Sequence, residues 1–158
     1  MAREIERKFL VDQDRLGPLE DGVAIRQGFI ATADLTVVRV RIAGERAWLT
    51  LKGKNAGPVR TEFEYPIPVE DARQILAQMC GGKVMAKTRY LRRCGGHTWE
   101  IDVFEGDNAG LVVAEVELQS EQETFQRPEW VTEEVTLDAR YYNVNLMSYP
   151  FSRWREQR

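Results

Sequence analysis

The sequence is poor in the residues that build staples, metal knuckles and nucleophilic triads. Its two cysteines, Cys80 and Cys94, stand in no CxxC spacing, which argues against a disulfide framework or a cysteine-ligated zinc site. The single histidine, His97, excludes a multi-histidine metal centre and leaves a serine-type triad without a motif. No apolar run reaches the ~18 residues of a membrane span. The start, Met1-Ala2-Arg3-Glu4, has no apolar h-region of a secretory signal. Positive charge is not in excess either: Lys and Arg number 22 against 25 Asp and Glu. A protein that lives on nucleic-acid backbone is normally basic, so no nucleic-acid partner is expected. A membrane is not expected, and the reducing cytoplasm is the simplest home. What remains is a chain of 158 residues, 43% apolar and 30% charged, enough for one globular domain spanning 1–158 with a core of its own.

Alternation with period two dominates. It predicts strands over about 3–11, 24–32, 36–43, 46–53, 59–67, 84–94, 97–105 and 111–119. Turn chemistry separates them at Gly17-Pro18, Ala33-Asp34, Gly44-Glu45, Gly57-Pro58, Gly95-Gly96 and Asp107-Asn108. A helix is expected over about 70–80, with Glu70 and Asp71 in its first turn, an apolar stripe of Ile75, Leu76 and Met79, and Gly81-Gly82 as its stop. A second helix is expected over about 138–148, with Asp138 as N-cap and Pro150 beyond its end. The acidic stretch Glu121 to Glu134 reads as a solvated connection.

Parity along these strands gathers charge on one face. The sets are Glu4, Glu6 and Lys8; Arg39 and Arg41; Lys52; Arg60, Glu62 and Glu64; Lys87 and Arg89; Glu100 and Asp102; Glu115 and Glu117. The plain reading is an antiparallel sheet with its charge in water. The detail argues otherwise. Like charges recur at i, i+2, about 7 Å apart along a strand. Each such pair costs ~0.6 kcal/mol in water and ~2.4 kcal/mol at an effective dielectric near 20. Repetition over six pairs calls for neutralising partners. Paired acids suit a hard divalent cation, and paired bases suit an oxygen-rich anion such as a polyphosphate. Apolar outer faces covered by helices would close the sheet into a barrel with a polar bore. The fold expected is α+β, mainly β.

Glu4-Ile5-Glu6-Arg7-Lys8 is an ExExK motif. In order after it stand Arg39-x-Arg41, Thr50-x-Lys52, Glu62-x-Glu64, Lys87-x-Arg89, Glu100-x-Asp102 and Glu115-x-Glu117. The series resembles the CYTH, or triphosphate tunnel metalloenzyme, superfamily, and most of all its short bacterial members that begin IERKFLV. The likeness runs from Glu4 through Asp138-Ala139-Arg140-Tyr141-Tyr142-Asn143. It implies an eight-stranded antiparallel tunnel with flanking helices and a C-terminal helix, often homodimeric, that binds a small-molecule triphosphate with Mg²⁺ or Mn²⁺. By position, Glu4, Glu6, Asp102, Glu115 and Glu117 would bind metal. Lys8, Arg39, Arg41, Lys52, Lys87 and Arg89 would hold phosphates. Lys8 is also the candidate for activating the attacking water, and Arg140 would approach one tunnel mouth.

Two departures stand out. Phe29 occupies a place where many bacterial relatives carry Tyr, so it lacks a hydroxyl that would partner Lys8. Ala139, Tyr142 and Val144 stand where close relatives often carry lysines. Activities in the superfamily include hydrolysis of inorganic triphosphate, hydrolysis of thiamine triphosphate, RNA triphosphatase action and class IV adenylate cyclisation. Inorganic triphosphate hydrolysis is the leading expectation, with adenylate cyclase and a non-catalytic polyphosphate- or nucleotide-binding module as alternatives. Glu62 and Glu64 read equally as metal ligands or as ion-pair partners. Glu100 and Arg60 read as ion-pair members, Trp48, Trp99 and Trp130 as packing residues, and His97 as a solvated surface residue.

Overall fold

The computed structural model describes residues 3–54 and 58–157. Gly57 of the expected Gly57-Pro58 turn lies outside them. The strands are β1 (Arg3–Val11), β2 (Val23–Ile30), β3 (Val37–Ala43), β4 (Arg46–Lys52), β5 (Val59–Ile67), β6 (Val84–Cys94), β7 (His97–Phe104), β8 (Val112–Glu117) and β9 (Val131–Glu134). The helices are α1 (Gln13–Leu16), α2 (Val69–Gln78) and α3 (Asn143–Ser148).

All pairings are antiparallel, in the order β5-β4-β3-β2-β6-β7-β8-β1-β9. Arg3 to Ile5 of β1 pair with Val59 to Thr61 of β5, so β1 to β8 close on themselves. β9 then continues along β1, opposite Phe9 and Val11. One strand therefore has two partners in succession on one edge and β8 on the other.

Alternation divides the barrel into an outside and a bore. Most outward positions are apolar, and two groups of them are covered, while Phe63 and Tyr65 on β5 stay exposed. Phe9, Trp99, Ile101, Ala114 and Val116 pack beneath Leu16, Leu19, Phe125 and Trp130. Within this cluster Trp99 meets Phe9 at 5.6 Å and Trp130 at 5.8 Å between ring centroids. On the far side, Ala72, Leu76 and Cys80 of the α2 region cover Val40 and Ala47. Gly28 makes that approach possible, since a Cβ there would stand 2.8 Å from both Cys80 Sγ and Leu76 Cδ2.

The stretch expected to be a solvated connection is in part wall and core. Phe125 and Trp130 enter the aromatic cluster, and Val131–Glu134 is a strand. Glu134 accepts two hydrogen bonds from the Arg7 guanidinium on the outer face of β1. His97 is not solvated as expected: its Nε2 meets the Glu123 carboxylate and its ring lies against Phe125. The expected helix over 138–148 is divided at Tyr142 into a 3₁₀ turn, Ala139–Tyr141, and α3. Asp138 does cap the first of these, accepting from the Arg140 amide.

The inward positions change character along the bore. Leu10, Met85, Phe104 and Val113 occupy inward positions at one end, and Tyr141, Leu146 and Trp154 of the C-terminal segment pack on them. That end is filled with apolar side chains, and the remainder of the bore is charged.

Truncating the fully buried Trp99 to Ala should cost about 3–5 kcal/mol in urea unfolding, whereas Leu137→Ala, at a residue 72% exposed, should leave the midpoint unchanged. Equal midpoints for the two variants would contradict the assignment of the core to the outer face of the barrel.

Candidate active site

The bore encloses a cavity of about 230 Å³. Its lining includes Glu4, Glu6, Lys8, Arg39, Arg41, Lys52, Lys87, Arg89, Glu115 and Glu117 of the residues expected at the site, with Arg60, Glu62, Glu64 and Glu100 beside them. Strand register explains the grouping: Glu6 stands opposite Glu117 and Lys8 opposite Glu115 on the β1–β8 ladder. Arg39 stands opposite Thr50, which is in turn opposite Glu64.

Some of this charge is matched in place. Lys52 Nζ lies 2.9 Å from Glu4 and 3.3 Å from Glu62. Burial would raise the Glu4 carboxyl, but the Lys52 ammonium outweighs it and holds Glu4 below the usual carboxylate range. Glu62, buried and facing Glu4, is raised. Glu64 accepts from Thr50 Oγ1 at 2.8 Å and meets Arg39 at 3.5 Å. Both Glu62 and Glu64 therefore carry ion pairs.

At the inner end of the charged region, Asp102 is 1% exposed and receives Lys87 at 2.6 Å and a two-pronged Arg89 at 2.8 and 2.9 Å. Burial would raise the Asp102 carboxyl. The two cations reverse this and hold it down at about 2. Burial pushes the Lys87 ammonium down to about 7 despite Asp102. Asp102 was expected among the metal ligands. The structure does not place it with the lining acids, and both its oxygens already accept from cations.

Other charge is left over. Arg41 donates its Nε to Gln27 Oε1 at 2.9 Å and has no carboxylate partner within salt-bridge distance among the described residues. Burial, with Arg39 and Arg89 nearby, pushes its guanidinium down to about 9. Arg39 has a buried Nε with no acceptor among the described residues. Lys8 Nζ donates to the Tyr141 carbonyl at 3.0 Å and, among the described residues, forms no ion pair.

The acids have a matching excess. Burial raises Glu6 well above the usual range, and the adjoining Glu115 carboxylate adds to it. Glu115 is held well below its usual range: burial opposes this, but Lys8 and the hydrogen bond from Glu6 prevail. Glu117 is raised by burial and by Glu4.

Arg140, also expected at the site, is likewise absent from the cavity lining. Its guanidinium is gripped by Asp138 at 2.7 Å and lies over the Tyr141 and Trp154 rings, outside the cavity lining. Phe29 does line the cavity, as do Tyr142, Asn143 and Val144. Sequence reasoning passed over Gln27 and Asn143 as site residues. The available signal for Gln27 was one amide between Ile25 and Phe29 on the inward face of β2.

A closed antiparallel barrel with interleaved carboxylates and cations in its bore, both in excess of their mutual pairing, defines a protein arranged to enclose a polyanion with its counter-cations. The chain belongs to the CYTH domain family, whose model matches residues 2–145. It is 44% identical over 156 residues to the inorganic triphosphatase of Acetivibrio thermocellus, covering 99% of this chain and 100% of that one. It is 40% identical over 147 residues to the inorganic triphosphatase of Nitrosomonas europaea, covering 90% and 95%. Among solved structures, the inorganic triphosphatase NE1496 is 36% identical with a TM-score of 0.65, over 93% of this chain and 95% of that one.

Family membership implies a divalent cation. Among the described residues no three acidic, histidine or cysteine side chains converge into a ready-made cage. Glu6, Glu115 and Glu117 nevertheless line the cavity on the paired strands β1 and β8, and a hard cation held among them would relieve the repulsion by which Glu115 raises Glu6. Cations of the Mg²⁺ type keep several waters and take one or two carboxylates plus substrate phosphates, so this donor set fits.

Asp102→Asn should destabilise the protein by about 3–5 kcal/mol at neutral pH, because it strands Lys87 and Arg89 in the interior. The depressed Asp102 contributes stability that is present above its ordinary pKa of 3.8 and lost as pH falls toward about 2. Unfolding measured from pH 6 to pH 2 should show a steeper acid limb for the wild type than for the variant. Parallel limbs would remove Asp102 as the anchor of the cluster.

Proposed function

We propose that this protein hydrolyses inorganic triphosphate to diphosphate and phosphate, using Mg²⁺ or Mn²⁺. The observation that carries this is charge of both signs crowded into one cavity: Arg41 and Lys8, which have no carboxylate within salt-bridge distance among the described residues, share its lining with the adjoining acids Glu6, Glu115 and Glu117. A bound cation would offset negative charge on the phosphate oxygens at the acidic side, where Glu6 and Glu115 would hold it with Glu4 and Glu117 close by.

The chain's own groups supply the rest. Arg41 is fixed through Nε, so its two Nη groups are left to grip phosphate oxygens in the forked geometry that guanidinium favours. The buried Arg39 Nε offers a further donor. Lys8 spends one of its three protons on the Tyr141 carbonyl and keeps two for a phosphate oxygen or the attacking water. Lys87 and Arg89, braced by Asp102, add positive charge without needing to move. Water adds its oxygen to the terminal phosphorus as the bridging P–O bond breaks in line, and diphosphate leaves with the bridging oxygen. Positioning and preorganised charge do most of the work in such a transfer.

The test is phosphate release from tripolyphosphate, ATP and pyrophosphate, each with Mg²⁺ or Mn²⁺. Rapid release from tripolyphosphate is expected. Cyclic AMP with pyrophosphate from ATP, or tight binding of tripolyphosphate without turnover, would overturn the reading. Arg41→Ala should lower kcat/KM by about 100-fold. Glu6→Gln should abolish metal-dependent turnover, and a near wild-type rate at saturating metal would remove Glu6 from the metal site.

A further inference from the structure

Two amides that no carboxylate chemistry explains lie between the phosphate-binding cations. Gln27 is completely buried on β2, at the inward position between Ile25 and Phe29. Asn143 is the first residue of α3 and reaches the cavity from the C-terminal segment. Lys87 Nζ donates to Asn143 Oδ1 at 2.8 Å, Gln27 Nε2 donates to the same oxygen at 2.8 Å, and Arg41 Nε donates to Gln27 Oε1 at 2.9 Å.

The polarity of this chain is forced. Lysine and arginine have donors only, so each end must meet an oxygen. Asn143 turns its oxygen to Lys87, and its second lone pair is left for Gln27. Gln27 then presents its NH₂ to Asn143 and its oxygen to Arg41. No other orientation of the two amides satisfies both ends.

We propose that Gln27 and Asn143 are positioning residues that hold Arg41 and Lys87 at a fixed spacing, so that the α3 segment is part of the phosphate grip and not merely a cover. The reason is the way Arg41 is held. Gln27 is its one hydrogen-bond partner among the described residues, and the bond is to Nε, at the base of the fork. An arginine anchored at that point has its plane fixed and both Nη groups free for an anion. Without the anchor, a buried guanidinium flanked by Arg39 and Arg89 turns away from its like-charged neighbours. Lys87 is treated alike: Asp102 takes one proton, Asn143 a second, and the third is left for the cavity. The preorganisation lies in two neutral groups, which add no negative charge beside a triphosphate.

This inference rests on the reading of the cavity as a triphosphate site, and the test separates the two. Gln27→Met is close in volume and removes both amide bonds. It should lower kcat/KM for tripolyphosphate by about 10-fold or more, since small displacements of a positioning group cost up to about 100-fold. In an Arg41→Ala background the same change should cost less than about 2-fold, because the residue acts through Arg41. Asn143→Ala should show the same non-additivity with Gln27→Met, which guards against one variant folding poorly. An arm independent of turnover is the Arg41 Nε–H resonance, assigned by its loss in Arg41→Ala. It should exchange slowly with water in the wild type and quickly in Gln27→Met. Additive losses of kcat/KM, a loss below 2-fold for Gln27→Met alone, or an unchanged Arg41 resonance would each overturn the relay. Failure of the triphosphate reading would appear in the wild type itself, while the resonance would still report the anchor.

Discussion

Charge taken out of water must be matched, and the inside of this barrel is organised by how far that matching goes. Asp102 with Lys87 and Arg89, and Glu100 on the other side of Arg89, is a completed cluster of two carboxylates and two cations. Breaking such a cluster costs more than forming it gains, because the remaining partner is stranded. Lys52 between Glu4 and Glu62 is a second group, one cation between two carboxylates. These clusters hold the strands' inward faces in place and leave a remainder: Arg41 and Lys8, with no carboxylate at salt-bridge distance among the described residues, and the adjoining acids Glu6 and Glu115. That remainder is where chemistry becomes possible. A fully matched bore would have no reason to take up a polyanion.

The outer wall makes this tolerable. Interior charge brings repulsion and desolvation, and the compensating burial lies outside the barrel, in Phe9, Trp99 and Trp130 on one side and Leu76 against Val40 on the other. The usual arrangement of a globular core is thus turned inside out over most of the barrel. The exception is the end filled by Leu10, Met85, Phe104 and Val113 under the C-terminal segment. There the inward face is apolar, and α3 is held against it by Leu146 and reaches the charged region through Asn143.

Much of this was legible in the chain because period two is local. Glu4, Glu6 and Lys8 share a face by parity alone, and so do Lys87 and Arg89, so a charged bore could be read before any pairing was known. Which charges meet was not legible. That depends on register and closure, which bring Lys52 to Glu4 and Asn143 to Lys87 across 48 and 56 residues of sequence. The same limit hid the fate of Asp102: its parity with Glu100 placed it inward, but not between two cations. Val131–Glu134 was missed because four residues are too few for alternation to outweigh the acidic composition around them. Arg140, expected near the tunnel mouth, is gripped by its neighbour Asp138 and lies over two aromatic rings, contacts that parity could not foretell.

The most direct measurement is an anomalous-scattering map from crystals grown with Mn²⁺ and a non-hydrolysable imido analogue of tripolyphosphate. The account predicts manganese against the Glu6 and Glu115 carboxylates, with the analogue's phosphates reaching Arg41 and Arg39 inside the barrel. Manganese and analogue both bound on the outer surface, with the bore taken up by neither, would contradict it.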